Sequence, residues 1–227
     1  MENRKNLVLF FILLFVSSLA VAEPNNSKNV QELKKEAYTY TNQYKNYGKA
    51  IELLEEATAL GTDDPGIFLN LGTNYLFLRQ FDKAKENFEK AISLNPNYAE
   101  AYSNLATVSK SMKDYNSAIK NYKKAIEINP EYAEMYSNLG KVYVTTQQYE
   151  EAIQALEKAA QLKPLSIPED VHLAFTYVNL GYAYVMVNDY DSAKIVLLKA
   201  KELYTKLGDQ NNLDYINQLL KGIEEHR

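Results

Sequence analysis

Two histidines, His172 and His226, are the side chains best suited to moving a proton near neutral pH or holding a metal. They stand far apart in the chain. His172 lies near Glu169 and Asp170, but no His-Glu-x-x-His run or comparable ligand spacing surrounds it, and no glycine-rich phosphate loop is present. There is no cysteine, which removes disulfides, thiolate metal sites, a thiol nucleophile and a lipid-bearing cysteine. His172 therefore reads as a surface residue, and no catalytic residue, metal or cofactor is expected.

A second set of residues offers recognition instead. Asn70, Asn104 and Asn138 recur every 34 residues, and Asn179 extends the row. Each amide carries a donor and an acceptor, so a row of them can bind a peptide backbone whatever its side chains. Four such bonds at roughly 0.5–1.5 kcal/mol net each, set against ordering costs, amount to micromolar binding at best.

The same spacing organises the chain. Residues 95–105 return at 129–139, and the frame extends to units 31–64, 65–98, 99–132 and 133–166, with a fifth, 174–207, after seven extra residues. Position 20 of every unit is alanine (Ala50, Ala84, Ala118, Ala152, Ala193), as is position 27 (Ala57, Ala91, Ala125, Ala159, Ala200). Position 17 is always aromatic: Tyr47, Phe81, Tyr115, Tyr149 and Tyr190. Positions 4, 7, 8 and 11 stripe one helix and positions 17, 20, 24 and 27 a second, so each unit predicts a helix pair. The alanine at position 20 is expected to face a small residue at position 8 (Gly72, Ala106, Gly140, Gly181), letting the backbones approach. Pro96, Pro130 and Pro164 stop the second helices, and Asp114 and Asp189 are set to cap the helices after them. One pair cannot bury its own apolar face, so the pairs must stack.

The seven residues 167–173 hold Pro168-Glu169-Asp170, a helix start, and read mainly as an extension of the fifth unit's first helix, with a loop as the alternative. Beyond Gly208, Leu213, Ile216, Leu220 and Ile223 mark an amphipathic helix that closes the stack, within a final segment 208–227.

These columns resemble the tetratricopeptide-repeat (TPR) family over residues 31–207. The pattern is fullest in 133–166, as Tyr136, Leu139, Gly140, Tyr143, Ala152, Leu156, Ala159 and Pro164. The first unit departs from it with Lys34, Ala37 and Tyr38, which suits a terminal cap. The resemblance implies an all-α fold, a right-handed α-solenoid of five helix-turn-helix units with a C-terminal capping helix. It also implies that position 6, the asparagine row, faces a concave groove that binds peptide. Positions 2, 5, 9, 12 and 13 would flank it: Leu69, Thr73 and Phe77 in the second unit, Lys141 in the fourth, Phe175, Tyr182 and Met186 in the fifth. The apolar wall of the fifth unit is either a binding patch or the seat of the closing helix. The family's carboxylate clamp does not fit, because Glu100 would stand at one of its cationic positions. Thirteen of the nineteen tyrosines fall at positions 4, 11, 17, 24 or 34, which the repeat already explains; Tyr182, at position 9, does not.

Arg4 and Lys5, an apolar run at 7–16 and Ala20-Val21-Ala22 before Glu23-Pro24 have the layout of a secretory signal. Cleavage is expected after Ala22, leaving a short linker, 23–30, and an address in the periplasm or outside the cell, with no membrane insertion of the mature chain. The net charge of -4, without a Lys/Arg block, argues against nucleic acid. The expected function is an exported scaffold or adaptor that holds a protein or peptide partner, in envelope assembly or secretion. The alternative is a repeat protein that associates with its own copies.

Overall fold

A computed structural model describes residues 28–226. The expected signal, 1–22, and most of the linker lie outside the described residues. Eleven helices and no strand occur among those described. They are α1 (Val30–Asn42), α2 (Tyr47–Ala59), α3 (Pro65–Phe77), α4 (Phe81–Leu94), α5 (Ala99–Ser111), α6 (Tyr115–Ile128), α7 (Ala133–Thr145), α8 (Tyr149–Gln161), α9 (Glu169–Met186), α10 (Tyr190–Leu207) and α11 (Gln210–Glu225). The architecture is an all-α solenoid of helical repeats with a C-terminal helix.

Local chemistry sets the ends of these helices. Asn29 and Glu32 form a capping box at the start of α1. Asp114 and Asp189 each accept a hydrogen bond at 3.1 Å, from the Ser117 and Ser192 amides, and so cap α6 and α10 as their sequence positions predict. Within every unit the turn between the helices puts position 15 in the left-handed region: Lys45, Arg79, Lys113, Gln147 and Asn188 have φ of 52, 59, 64, 60 and 61°. Only Asn188 is a residue type that enters this region readily. The other four turns are closed by backbone bonds of 2.9 Å from the next amide: Asn46 to the Tyr40 carbonyl, Gln80 to Tyr75, Asp114 to Ser109 and Gln148 to Tyr143.

The pairs close on the small residues. A Cβ on Gly72 would lie 2.6 Å from the Phe88 ring, and one on Gly140 or Gly181 would lie 2.5 Å from Leu156 or Leu197. The side chain over position 8 is therefore position 24, a refinement of the expectation that the position-20 alanine sets the approach. All ten alanines of the two alanine columns are fully buried. The first helix of the first unit takes part as well, with Leu33 and Ala37 buried and Lys34 paired to Asp64 at 2.5 Å.

The junction before α9 differs from the others. The helix is 18 residues long and begins at Glu169, with Pro168 just outside it as the cap residue. Contrary to the expectation of a surface position, His172 is 1% exposed. Its Nε2 lies 3.1 Å from the Ala159 carbonyl, which can only accept, and its Nδ1 lies 3.4 Å from Ser137 Oγ. Ser137 Oγ is also 3.0 Å from Thr176 Oγ1. The added helical turn swings His172 under the fourth unit, where it ties α7, α8 and α9 together. Glu134 works on the same junction from outside the core: its Oε1 accepts from the Leu165 amide at 2.9 Å, the Ser166 amide at 2.7 Å and Ser166 Oγ at 2.6 Å.

Candidate functional site

The first helices of successive units touch one another, α1 with α3, α3 with α5 and α7 with α9, and form one side of the stack. The asparagine row lies along that side but is not uniform. Asn70 and Asn104 are half-buried, and their amides make no hydrogen bond among the described residues. The Asn138 side-chain oxygen accepts from Lys110 Nζ at 3.5 Å. Asn179 is 4% exposed and donates to the Phe175 carbonyl at 2.7 Å, so part of its capacity is spent inside its own helix. Two of the four amides are thus open and two are engaged.

The second unit offers little wall. Leu69, expected beside the groove, is buried in the core cluster that runs from α1 to α5. The Thr73 hydroxyl donates to the Leu69 carbonyl at 2.8 Å, within its own helix. Phe77 is exposed and stacks on Tyr47, ring centroids 4.7 Å apart. Asn74 is a feature the repeat did not flag: it is buried, donates to the Asn70 carbonyl at 2.7 Å and lies 2.8 Å from the Thr41 hydroxyl of the first unit. Its position-10 amide carries no periodic signature.

The C-terminal end is different. A cleft of about 640 Å³ opens between α7, α9 and the end of the stack, lined by Lys141, Val144, Thr145, Phe175, Val178, Asn179, Tyr182, Tyr204, Asn212 and Tyr215 among others. The expected choice between a binding patch and a seat for the closing helix is split by the structure. Leu213, Ile216, Leu220 and Ile223 of α11 pack into a core with Val178 and Val185. Phe175 and Tyr182 instead remain on the cleft, and α11 contributes Asn212 and Tyr215 as a further wall. Met186 is exposed and lies outside the cleft lining. The α11 wall and Tyr204 were not legible as site residues, because Asn212 and Tyr215 lie outside the repeat frame and Tyr204 sits on a second helix.

Lys141 lines this space, and a second cation, Lys110, reaches the same helix at Asn138. Lys110 and Lys141, from α5 and α7, are half-buried, and neither forms an ion pair among the described residues. Burial, with the Lys141 charge added to it, holds the Lys110 ammonium below its ordinary pKa, and burial does the same at Lys141. Across the cleft, burial and then the neighbouring Tyr182 push the Tyr215 phenol up. The arrangement can bind a chain or side chain by amides, aromatic faces and positive charge. His172 is occupied by the junction, and among the described residues no group of three or more His, Asp or Glu is placed to hold a metal.

Models of tetratricopeptide repeats match residues 66–98, 87–120 and 131–206, and a further TPR-repeat model matches 110–147, so together they run without a break from 66 to 206. A search of the curated proteins gave no match. Among solved structures, a crystal structure of MamA is 26% identical, covers 75% of this chain and 95% of its own, and superposes with a TM-score of 0.65. MamA 41-end from Desulfovibrio magneticus RS-1 is 22% identical, with coverage of 79% and 97% and a TM-score of 0.68. YrrB, described as a TPR protein with an unusual peptide-binding site, is 18% identical, with coverage of 85% and 94% and a TM-score of 0.66. With the repeat frame, the helix pairs and the family models in agreement, this chain belongs to the tetratricopeptide-repeat family.

Proposed function

We propose that the chain is an exported TPR scaffold or adaptor that holds a protein partner, as an extended peptide or a helix, along the side formed by its first helices. The observation that carries this reading is the cleft at the fifth unit, where aromatic, amide and cationic side chains converge on about 640 Å³ of open space. The peptide-binding site ascribed to YrrB, on a similar fold, supports it. The signal-like start, 1–22, supports a periplasmic or secreted address, and from that a role in envelope assembly or secretion. N-terminal sequencing of the exported protein is expected to begin at Glu23; a chain still beginning at Met1 contradicts cleavage.

The binding test is affinity capture of a partner by the mature chain from envelope extract. Changing Asn70, Asn104, Asn138 and Asn179 together to alanine is expected to weaken capture while helicity is kept. Unchanged capture removes the asparagine row from the mechanism. A second reading, self-association, draws on the first unit, where Tyr38 and Tyr44 are 63% and 65% exposed. Light scattering over a range of concentrations separates the two, since a monomer throughout eliminates the second.

A further inference from the structure

Resting on the groove as a peptide site, we propose that it selects a partner segment bearing a carboxylate side chain beside an apolar one. The carboxylate sits between Lys110 and Lys141, and the apolar side chain enters the cleft against Tyr182.

The charge pattern comes first. The chain is acidic, with a net charge of -4, yet no Asp or Glu lines the cleft, and its charged wall is Lys141. The two lysines come from first helices of consecutive units, and Lys110 Nζ lies 3.5 Å from Asn138 Oδ1, three residues before Lys141 on α7. Asn138 is the polar partner of Lys110 within the described residues, at the outer limit of a hydrogen bond. Two like charges in partly dry surroundings oppose each other, and an anion placed between them relieves both the repulsion and the lost hydration. Glu100, which speaks against the family's clamp, is position 2 of its unit, whereas Lys110 and Lys141 are positions 12 and 9 of theirs.

Shape supplies the second half. The cleft is too large for a carboxylate alone, and Phe175, Tyr182 and Tyr215 give it aromatic faces. The open Asn104 amide and that of Asn138 suit the backbone that joins the two side chains. A peptide meets all three requirements, whereas a free inorganic anion meets one.

The test presents short random peptides on phage to the immobilised full chain and sequences those retained. One retained peptide is then synthesised with its acidic residue intact and as the Glu→Gln or Asp→Asn copy, and binding is read by fluorescence anisotropy. Expected are enrichment of Asp or Glu next to aromatic or aliphatic residues, and a loss of about tenfold or more for K110Q/K141Q. The amide copy of the peptide should lose as much on the unaltered protein, and should lose nothing further on the double variant. Binding by the unaltered protein should also weaken as salt rises, which decides the matter even where the lysine variants fold poorly. Peptides without acidic enrichment, lost on Tyr182→Ala but not on K110Q/K141Q, overturn the carboxylate and keep the groove. Retained peptides indifferent to every groove substitution, or none retained, overturn the groove reading itself. A dimer that K110Q/K141Q disperses names a second copy as the occupant and overturns the partner proposed.

Discussion

The second and fifth units present the same repeat positions to the same side of the stack, but the fifth borders a cleft of about 640 Å³ there, against about 270 Å³ beside Asn70 of the second. In the second unit Leu69 is absorbed into the core, Thr73 bonds its own helix and Phe77 turns out to stack on Tyr47. In the fifth, Phe175 and Tyr182 face open space of about 640 Å³. The difference comes from what adjoins each unit. The second lies between the first and third helix pairs, whereas the fifth is reached through an extended α9 and followed by α11. That last helix covers Val178 and Val185 and adds Asn212 and Tyr215 to the rim. A repeat position thus names a candidate; the neighbouring element makes it a site.

The comparison breaks most completely at α11. Ile216 is fully buried, and Ile216→Ala is expected to cost about 2–5 kcal/mol. Urea unfolding should show the C-terminal end melting first, since a solenoid couples mainly nearest neighbours, and ligand binding at the cleft should vanish with it. Retained binding in a frayed variant would show that α11 is no part of the site.

The position-8 glycines sharpen the contrast at a smaller cost. Gly181→Ala and Gly72→Ala each force a Cβ to within 2.5 or 2.6 Å of a buried side chain, so each should lose about 1–3 kcal/mol. Equal losses in stability are expected to have unequal consequences: Gly181→Ala impairs the cleft, and Gly72→Ala leaves binding nearly intact. Equal loss of binding would place the site across the whole stack.

The junction gives the next effect. His172→Leu leaves the Ala159 carbonyl and Ser137 without the imidazole, and about 1–3 kcal/mol should be lost. Limited proteolysis is the direct check, with cutting concentrated around residues 162–168. Unaltered resistance there would mean that the ring fills space and nothing more.

The smallest effect depends on pH. Burial works against the charge on Glu134, but hydrogen bonds from Ser166 and Leu165 outweigh it, so its folded pKa lies below the ordinary 4.5. A lowered carboxylate pKa adds stability that is full above the unfolded value and disappears as pH falls through the folded one. Glu134→Gln should therefore destabilise at pH 7 by less than about 1 kcal/mol, since the group is part-solvated. The two proteins should converge in strong acid, and a gap that persists there rejects this account.

Much of this was legible beforehand. The alanine columns, the prolines and the caps at Asp114 and Asp189 correspond to buried faces, helix ends and cap bonds in the structure. The amphipathic run 213–223 packs as α11. The site was legible as a face and not as a cavity. Tyr182 stood out because the repeat had no use for it, but Asn212 and Tyr215 lie past the frame, and nothing in their spacing points back to α9. His172 was misread for a related reason. The seven extra residues read as an extension of the fifth unit's first helix, but which way the added turn rotates a polar ring depends on the helices it meets.

Periodicity determined the class of fold, because a helix pair with one apolar face has few ways to bury it other than against its own kind. It also determined which residues lie inside each pair, since side-chain direction on a helix follows from spacing alone. Which of the amides stay open, whether two lysines meet, and where a stack of near-identical pairs opens a cleft were decided by tertiary structure. Those outcomes depend on distances between residues that sequence separates by 30 positions or more, as between Lys110 and Lys141 or Tyr182 and Tyr215. Local propensity carries no information about such distances until the neighbouring helices are in place.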